Sequence, residues 1–328
     1  MSGARRRKDR AIPAVEKINP PMTEAEFDQL FNDVSNWGRW GEADERGTLN
    51  YLTPEHVRRS ALLVQSGRSV SLSREIDTVT AVDNPNPAVH LMIRGYDIPA
   101  DAGEPQFVSD YLACGCHGNA HSHIDALCHV AYKGRLYNNR PLSIVTTHGA
   151  SAMDITRYAN GIVGRGVLLD IPRLRGTKWL EPGDAVTSED LLAAEEKQGV
   201  RLGEGDLFAF RVGHPLRRKE LGPWNIEHGG QGRAGLHPTA MRLLHERKIA
   251  AFLPDGDGET VPSNVQGVLN PVHALQIGAM GLACGDSLQF EELAKVCEAE
   301  GRWDFMVVVA PLRLPRGTGS LVNPVAIF

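Results

Sequence analysis

Apolar residues recur along the chain in two rhythms, one helical and one extended. Phe27, Leu30 and Phe31 follow Thr23 at helical spacing, and Glu26 stands three residues after Thr23, the signature of a capped helix start. Thr53-Pro54-Glu55-His56 opens a second helix, with Val57, Ala61 and Leu62 as its stripe. Residues 69–72 and 89–93 read as strands. Further on, buried strands are predicted at 166–171, 206–212, 249–253 and 305–310. Helices are predicted at 188–199, with Ser188 as cap and Gly199 as stop, and at 238–248, 273–280 and 290–299. Strands and helices are comparable in number, with neither linker nor repeat. The expected fold class is α/β, a single domain with a mixed β-sheet flanked by helices. Residues 1–21, charged and proline-punctuated, are expected to form a flexible arm, and 22–328 the domain.

Charge narrows the function classes. Lys plus Arg number 35 against 40 Asp plus Glu, a formal charge of −5, so a globally basic nucleic-acid surface is excluded. The run Arg5 to Lys8 is too short to change that. No apolar run reaches the ~18 residues of a membrane span, and the charged start is not followed by the apolar core of a signal peptide. Five cysteines are too few, and odd in number, for a disulfide framework. The expectation is a cytoplasmic protein acting on a small molecule, without nucleic acid or membrane.

Chemistry concentrates in one place. Of 12 histidines, His117, His121, His123, His129 and His148 fall close together. In an extended stretch, i, i+2 and i+4 share a face, so His121, His123 and Asp125 would point the same way and could share a divalent ion. A fourth ligand could come from His129 or from a distant segment. Nitrogen and oxygen donors together suit Zn, Mn, Fe or Co. Cys114 and Cys116 are read as small apolar residues rather than ligands. If the chain turns helical after Asp125, His129 returns over the same ion at i+4 and becomes the candidate catalytic proton shuttle. Trp37 and Trp40, between glycines in a loop, and Trp224 are candidate substrate-binding walls or plain packing. Three functions use such a centre. A hydrolase would activate water. A non-haem iron oxygenase would use His123-x-Asp125 within a facial triad, which leaves His121 and His129 unexplained. A metal-stabilised binding protein would need no open coordination position.

The segment from Asn119 to His129 resembles the cyclase family of metal-dependent hydrolases, which includes kynurenine formamidase, isatin hydrolase and trans-dienelactone hydrolase. The family motif is His-x-Gly-Thr-His-x-Asp-x-Pro-x-His, and its second His, its Asp and its last His fall on His123, Asp125 and His129. Asn119, His121, Ser122 and Leu127 depart from it, so the resemblance implies that His121 or His117 replaces the ligand missing at Asn119. The long-chain branch is the more similar, through His117-Gly118, Tyr137-Asn-Asn139, Trp37-Gly-Arg-Trp-Gly41, Arg165-Gly-Val-Leu-Leu-Asp170 and the tail Ala310 to Ser320 with Asn323-Pro-Val-Ala326. The family's distal His and Glu fall on His273 and Asp286, as second-shell or second-ion residues. The resemblance implies a swivelling β/α-like fold, a homodimer or homotetramer and a Mn or Zn cofactor. The implied activity is hydrolysis of an acyl C–N or C–O bond in a small cyclic or aromatic substrate (lactone, cyclic amide or formamide). A non-hydrolytic cyclase, lyase or binding member is the alternative.

Overall fold

Alternation along the central strands sets the architecture. The computed structural model describes residues 21–97 and 105–328; the arm expected over residues 1–21 lies outside them except for Pro21. Nine strands, β1 (Ser69–Ser71), β2 (His123–Asp125), β3 (Ile162–Asp170), β4 (Leu207–Arg211), β5 (Ala251–Pro254), β6 (Ala283–Asp286), β7 (Asp304–Val309), β8 (Gly319–Leu321) and β9 (Val325–Ile327), form one sheet. Their spatial order is β1-β9-β7-β3-β4-β5-β6-β2-β8. The run β3 to β6 is parallel, and every other pairing is antiparallel. In β4, Leu207 and Ala209 join the core on one face, and Phe208 and Phe210 the core on the other. A sheet covered on both faces needs apolar residues at every position of its central strands, which is why β4 reads as a continuous apolar run.

The described residues also form eight α-helices: α1 (Glu24–Asp33), α2 (Pro54–Ala61), α3 (Ile171–Arg175), α4 (Ser188–Gln198), α5 (His214–Leu221), α6 (Met241–Glu246), α7 (Pro271–His273) and α8 (Glu291–Glu300). On one face α1, α4 and α6 press Phe27, Leu30, Leu191, Ala194, Met241 and Leu244 against Phe208, Phe210 and Phe252. On the other, α8 packs Leu293, Val296 and Cys297 with Leu168 and Leu253. Each fully buried aromatic or leucine contributes roughly 1.5–3 kcal/mol by leaving water. The α/β single domain with a mixed sheet is therefore as the sequence predicts.

Local details differ from expectation for physical reasons. The Thr23–Glu26 capping box starts α1 as predicted. The stripe assigned to α2 is not buried: Leu62 is 76% exposed, and Ser60 is the helix's buried residue. Its hydroxyl bonds back to the Val57 carbonyl, and so small a residue lets the helix lie against β3. Helix α4 is capped by Thr187 rather than Ser188, with Asp190 accepting the Thr187 N–H. The stretch 238–248 divides into a 3₁₀ turn, Pro238–Ala240, and α6. Past α7 the chain continues as a π-helix, Ala274–Met280, a form that recurs at functional sites. The strand expected at 89–93 forms, but in a two-stranded hairpin, Val89–Arg94 with Ser109–Ala113, outside the large sheet. No helix among the described residues is long and apolar enough to cross a membrane.

Candidate metal centre

Strand β2 carries the chemistry. It lies between β6 and β8, with Asp286 opposite His123 and Cys284 opposite Asp125. Ile124 turns into the apolar core, so His123 and Asp125 turn to the other face, where β6 presents Cys284 and Asp286 two residues apart. His117 reaches the same spot across β8. It can do so because residue 319 is glycine: a Cβ there would stand 2.6 Å from the His117 ring. The fourth approach is from His273, at the end of α7.

The imidazoles are fixed by what their far nitrogens bond. His123 Nδ1 donates to the His121 carbonyl at 2.9 Å, leaving Nε2 facing the cluster, 3.6 Å from Asp125 Oδ1 and 3.8 Å from Asp286 Oδ2. His273 Nδ1 bonds Glu259 Oε1 at 3.0 Å, and its Nε2 faces Asp286 Oδ2 at 3.2 Å. Glu259, fully buried, also accepts the backbone N–H groups of Val272 and His273. One carboxylate thus satisfies the orphan donors of a helix start and sets the tautomer of the imidazole it orients. His117 Nδ1 bonds Asp125 Oδ1 at 2.8 Å, and its Nε2 bonds the Thr318 hydroxyl.

The two central carboxylates have opposite electrostatics. Burial pushes Asp125 up, but the His117 hydrogen bond and, in acid where the rings are protonated, the charges of His129, His123 and His117 outweigh it and hold the carboxyl down at about 2. Asp286 is raised, first by burial and also by the charge of Asp125; only His273 and His123 oppose. Burial lowers His129 to about 4, against the pull of Asp125, so its ring is neutral at physiological pH. Two buried carboxylates this close are costly without a compensating cation. Bonds of about 2.0–2.3 Å to one tetrahedral ion separate its donors by about 3.3–3.8 Å, close to the 3.2–3.8 Å between His123 and Asp125, His123 and Asp286, and His273 and Asp286. With mixed nitrogen and oxygen donors, these residues fit a divalent cation. Above them opens a cavity of about 250 Å³, lined also by Asn119, Glu227, Arg233, Asp257 and Asn270.

Not every residue expected here arrives. His121 does not join His123 and Asp125: the strand begins only at His123, and the His121 ring turns to the Asp77 carbonyl (3.0 Å) and Cys114 Sγ (3.3 Å). His117 stands with His123 and Asp125 instead. No helix follows Asp125. A turn closed by His129 N–H to the Ala126 carbonyl still brings His129 Nε2 to 3.8 Å from Asp125 Oδ2, its ring stacked on His117 at 3.7 Å. None of the three tryptophans lines the cavity. Trp37 donates to the Gly278 carbonyl and packs on Phe31, Trp40 packs on Tyr51, and Trp224 is buried against His214 with Arg217 over its ring. Sequence reasoning missed Glu259, Cys284 and Thr318. The acid–glycine alternation Asp255-Gly-Asp257-Gly-Glu259 is the signal that could have found the first.

Comparison with known proteins bears on the fold and the family. A crystal structure described as a novel cyclase is 31% identical and superposes with a TM-score of 0.80, over 91% of this chain and 99% of that one. Isatin hydrolase A from Ralstonia solanacearum is similar in fold, with 22% identity and a TM-score of 0.57 over 79% of this chain and 91% of that one. Isatin hydrolase A from Labrenzia aggregata, bound to benzyl benzoate, gives 21% and 0.56 over 79% and 93%. No curated protein matches the chain. The family model described as "Putative cyclase" matches residues 69–257, more than half of the chain, and the protein belongs to that cyclase family.

Proposed function

We propose that the protein is a metal-dependent hydrolase that uses water to cleave an acyl C–N or C–O bond of a small cyclic or aromatic substrate (lactone, cyclic amide or formamide). One observation carries this: four donors, three of them buried and two of them imidazoles oriented through their far nitrogens, converge beneath a polar cavity. His123, Asp125, His273 and Asp286 would hold Mn or Zn, with His117 beside Asp125. A divalent cation there would supply Lewis acidity, lowering the pKa of a water toward ~7 and polarising an acyl oxygen. His129, neutral at the cavity wall, takes a proton and returns it to the leaving nitrogen or oxygen. Arg233, paired with Asp257, and Asn119, bonded to Glu227, orient the substrate's polar atoms from the wall. A volume of about 250 Å³ suits a small substrate. The proposal includes a cytoplasmic homodimer or homotetramer, whose contacts would cover exposed apolar residues of the hairpin such as Leu91, Met92 and Ile93.

The second carboxylate, Asp286, argues against an oxygenase, whose facial triad has two histidines and one carboxylate. The test is metal analysis of protein purified without chelator, followed by a screen of lactones, formamides and cyclic imides. Chelation should abolish hydrolysis, Mn or Zn should restore it, and exclusion of dioxygen should change nothing. Full activity in metal-free protein would overturn the proposal. Activity that requires dioxygen would point to the oxygenase, and products formed without uptake of water to a cyclase or lyase.

A further inference from the structure

Cys284 is fully buried at the edge of the apolar core, yet polar groups surround its sulfur. It lies on the face of β6 that carries Asp286, directly across from Asp125. Its sulfur, an oxygen of Asp125, a nitrogen of His273 and an oxygen of Asp286 all lie within 4.8 Å of one another. The sulfur is 3.3 Å from Asp286 Oδ1. Asp125, His273 and Asp286 line the cavity, whereas Cys284 is fully buried behind its wall. The Gln276 side-chain amide points its Nε2 at the sulfur, at 2.7 Å. Gln276 is fully buried, and its Oε1 has no hydrogen-bond partner among the described residues. The amide is therefore held by what its nitrogen does. A neutral thiol is a weak acceptor. A donor aimed at a buried sulfur is the second-shell partner expected of a metal thiolate.

We infer that Cys284 is a further, sulfur ligand of the divalent ion, joining the nitrogen and oxygen donors of His123, Asp125, His273 and Asp286 in a mixed set that selects zinc over manganese. The inference rests on the metal-centre reading above. Ligation forms one metal–sulfur bond and breaks one S–H bond, the proton leaving to solvent. A thiolate favours softer ions, whereas the carboxylates alone would serve manganese as well. The bland alternative is a neutral thiol that packs as a small apolar residue and donates to Asp286.

Cobalt(II) separates the two. Protein stripped of metal and reloaded with cobalt should show an intense sulfur-to-cobalt charge-transfer band in the near ultraviolet. Cys284→Ser should bind cobalt without that band and lose roughly 100-fold in zinc affinity, with manganese affinity changed far less. Wild-type protein that binds stoichiometric cobalt with no such band would overturn the sulfur ligand and leave the metal centre standing. Persistence of the band in Cys284→Ser would assign it to another cysteine and likewise overturn the inference. Wild-type protein that binds no cobalt, zinc or manganese would remove the centre and the ligand together. Should Cys284→Ser fail to fold, the wild-type spectrum decides alone.

Discussion

The donor cluster has two flanks, built in different ways. On the first, His117, His123, Asp125 and His129 come from one short stretch of chain, and three imidazoles surround a single carboxylate. On the second, Glu259, His273, Cys284 and Asp286 come from a loop, a helix end and a strand, and two buried carboxylates share one imidazole. The first flank therefore stabilises its anion, and Asp125 is held down at about 2, whereas the second raises Asp286. An ion between the flanks would offset the raised Asp286 more than the already stabilised Asp125. The hairpin Val89–Arg94 with Ser109–Ala113 feeds the first flank, while the second is packed into the central sheet.

Removing the carboxylates one at a time tests whether both flanks hold the ion. Asp125→Asn and Asp286→Asn should each lower metal affinity by ~100-fold or more, beyond the ~10–100-fold typical of outer-shell changes. Hydrolysis should fall in proportion to bound metal, read by elemental analysis on the same samples. Retention of full metal by either variant would mean that its flank is not part of the centre. A smaller effect is expected from His129→Ala. It should keep its metal and lose ~10²–10⁴-fold in rate, because the ring lies at the cavity wall with its nitrogen 3.8 Å from Asp125. Loss of metal together with rate would make His129 a ligand of the first flank instead of a proton shuttle.

The same division decides how much of the molecule was legible in its sequence. The central strands and α1 were readable because burial on two faces and a capping box leave local signatures, in Leu207 to Arg211 and in Thr23 with Glu26. His123 and Asp125 were readable for a related reason, as alternate residues on one strand. His121 looked like their equal only because spacing does not say where a strand begins. Its ring was claimed by Asp77 and Cys114, partners that no local pattern reveals. The second flank depends on register: Cys284 meets Asp125 because β6 pairs with β2 antiparallel across some 160 residues of chain. Composition and periodicity carry nothing about such pairings. His273 and Asp286 were reached through family resemblance, and Glu259 was not reached at all.

Glu259 gives the mildest and most discriminating test of the second flank. Its Oε1 accepts both the backbone N–H and the ring Nδ1–H of His273, while Oε2 accepts the Val272 N–H at 3.1 Å. In Glu259→Gln one oxygen remains to orient the ring, but the negative charge that makes the imidazole a stronger donor is gone, and an amide NH₂ would face the Val272 N–H. Metal affinity should fall ~10–100-fold, while the rate per bound ion stays within a few-fold of the parent. The lost acceptor also costs about 1–3 kcal/mol of stability, which thermal unfolding of the metal-free proteins would register separately. If unfolding shifts while zinc and manganese titrations match the parent, Glu259 serves only as the cap of α7. The orientation of His273 must then come from Asp286 alone, and the second flank would be a simpler device than its hydrogen bonds suggest.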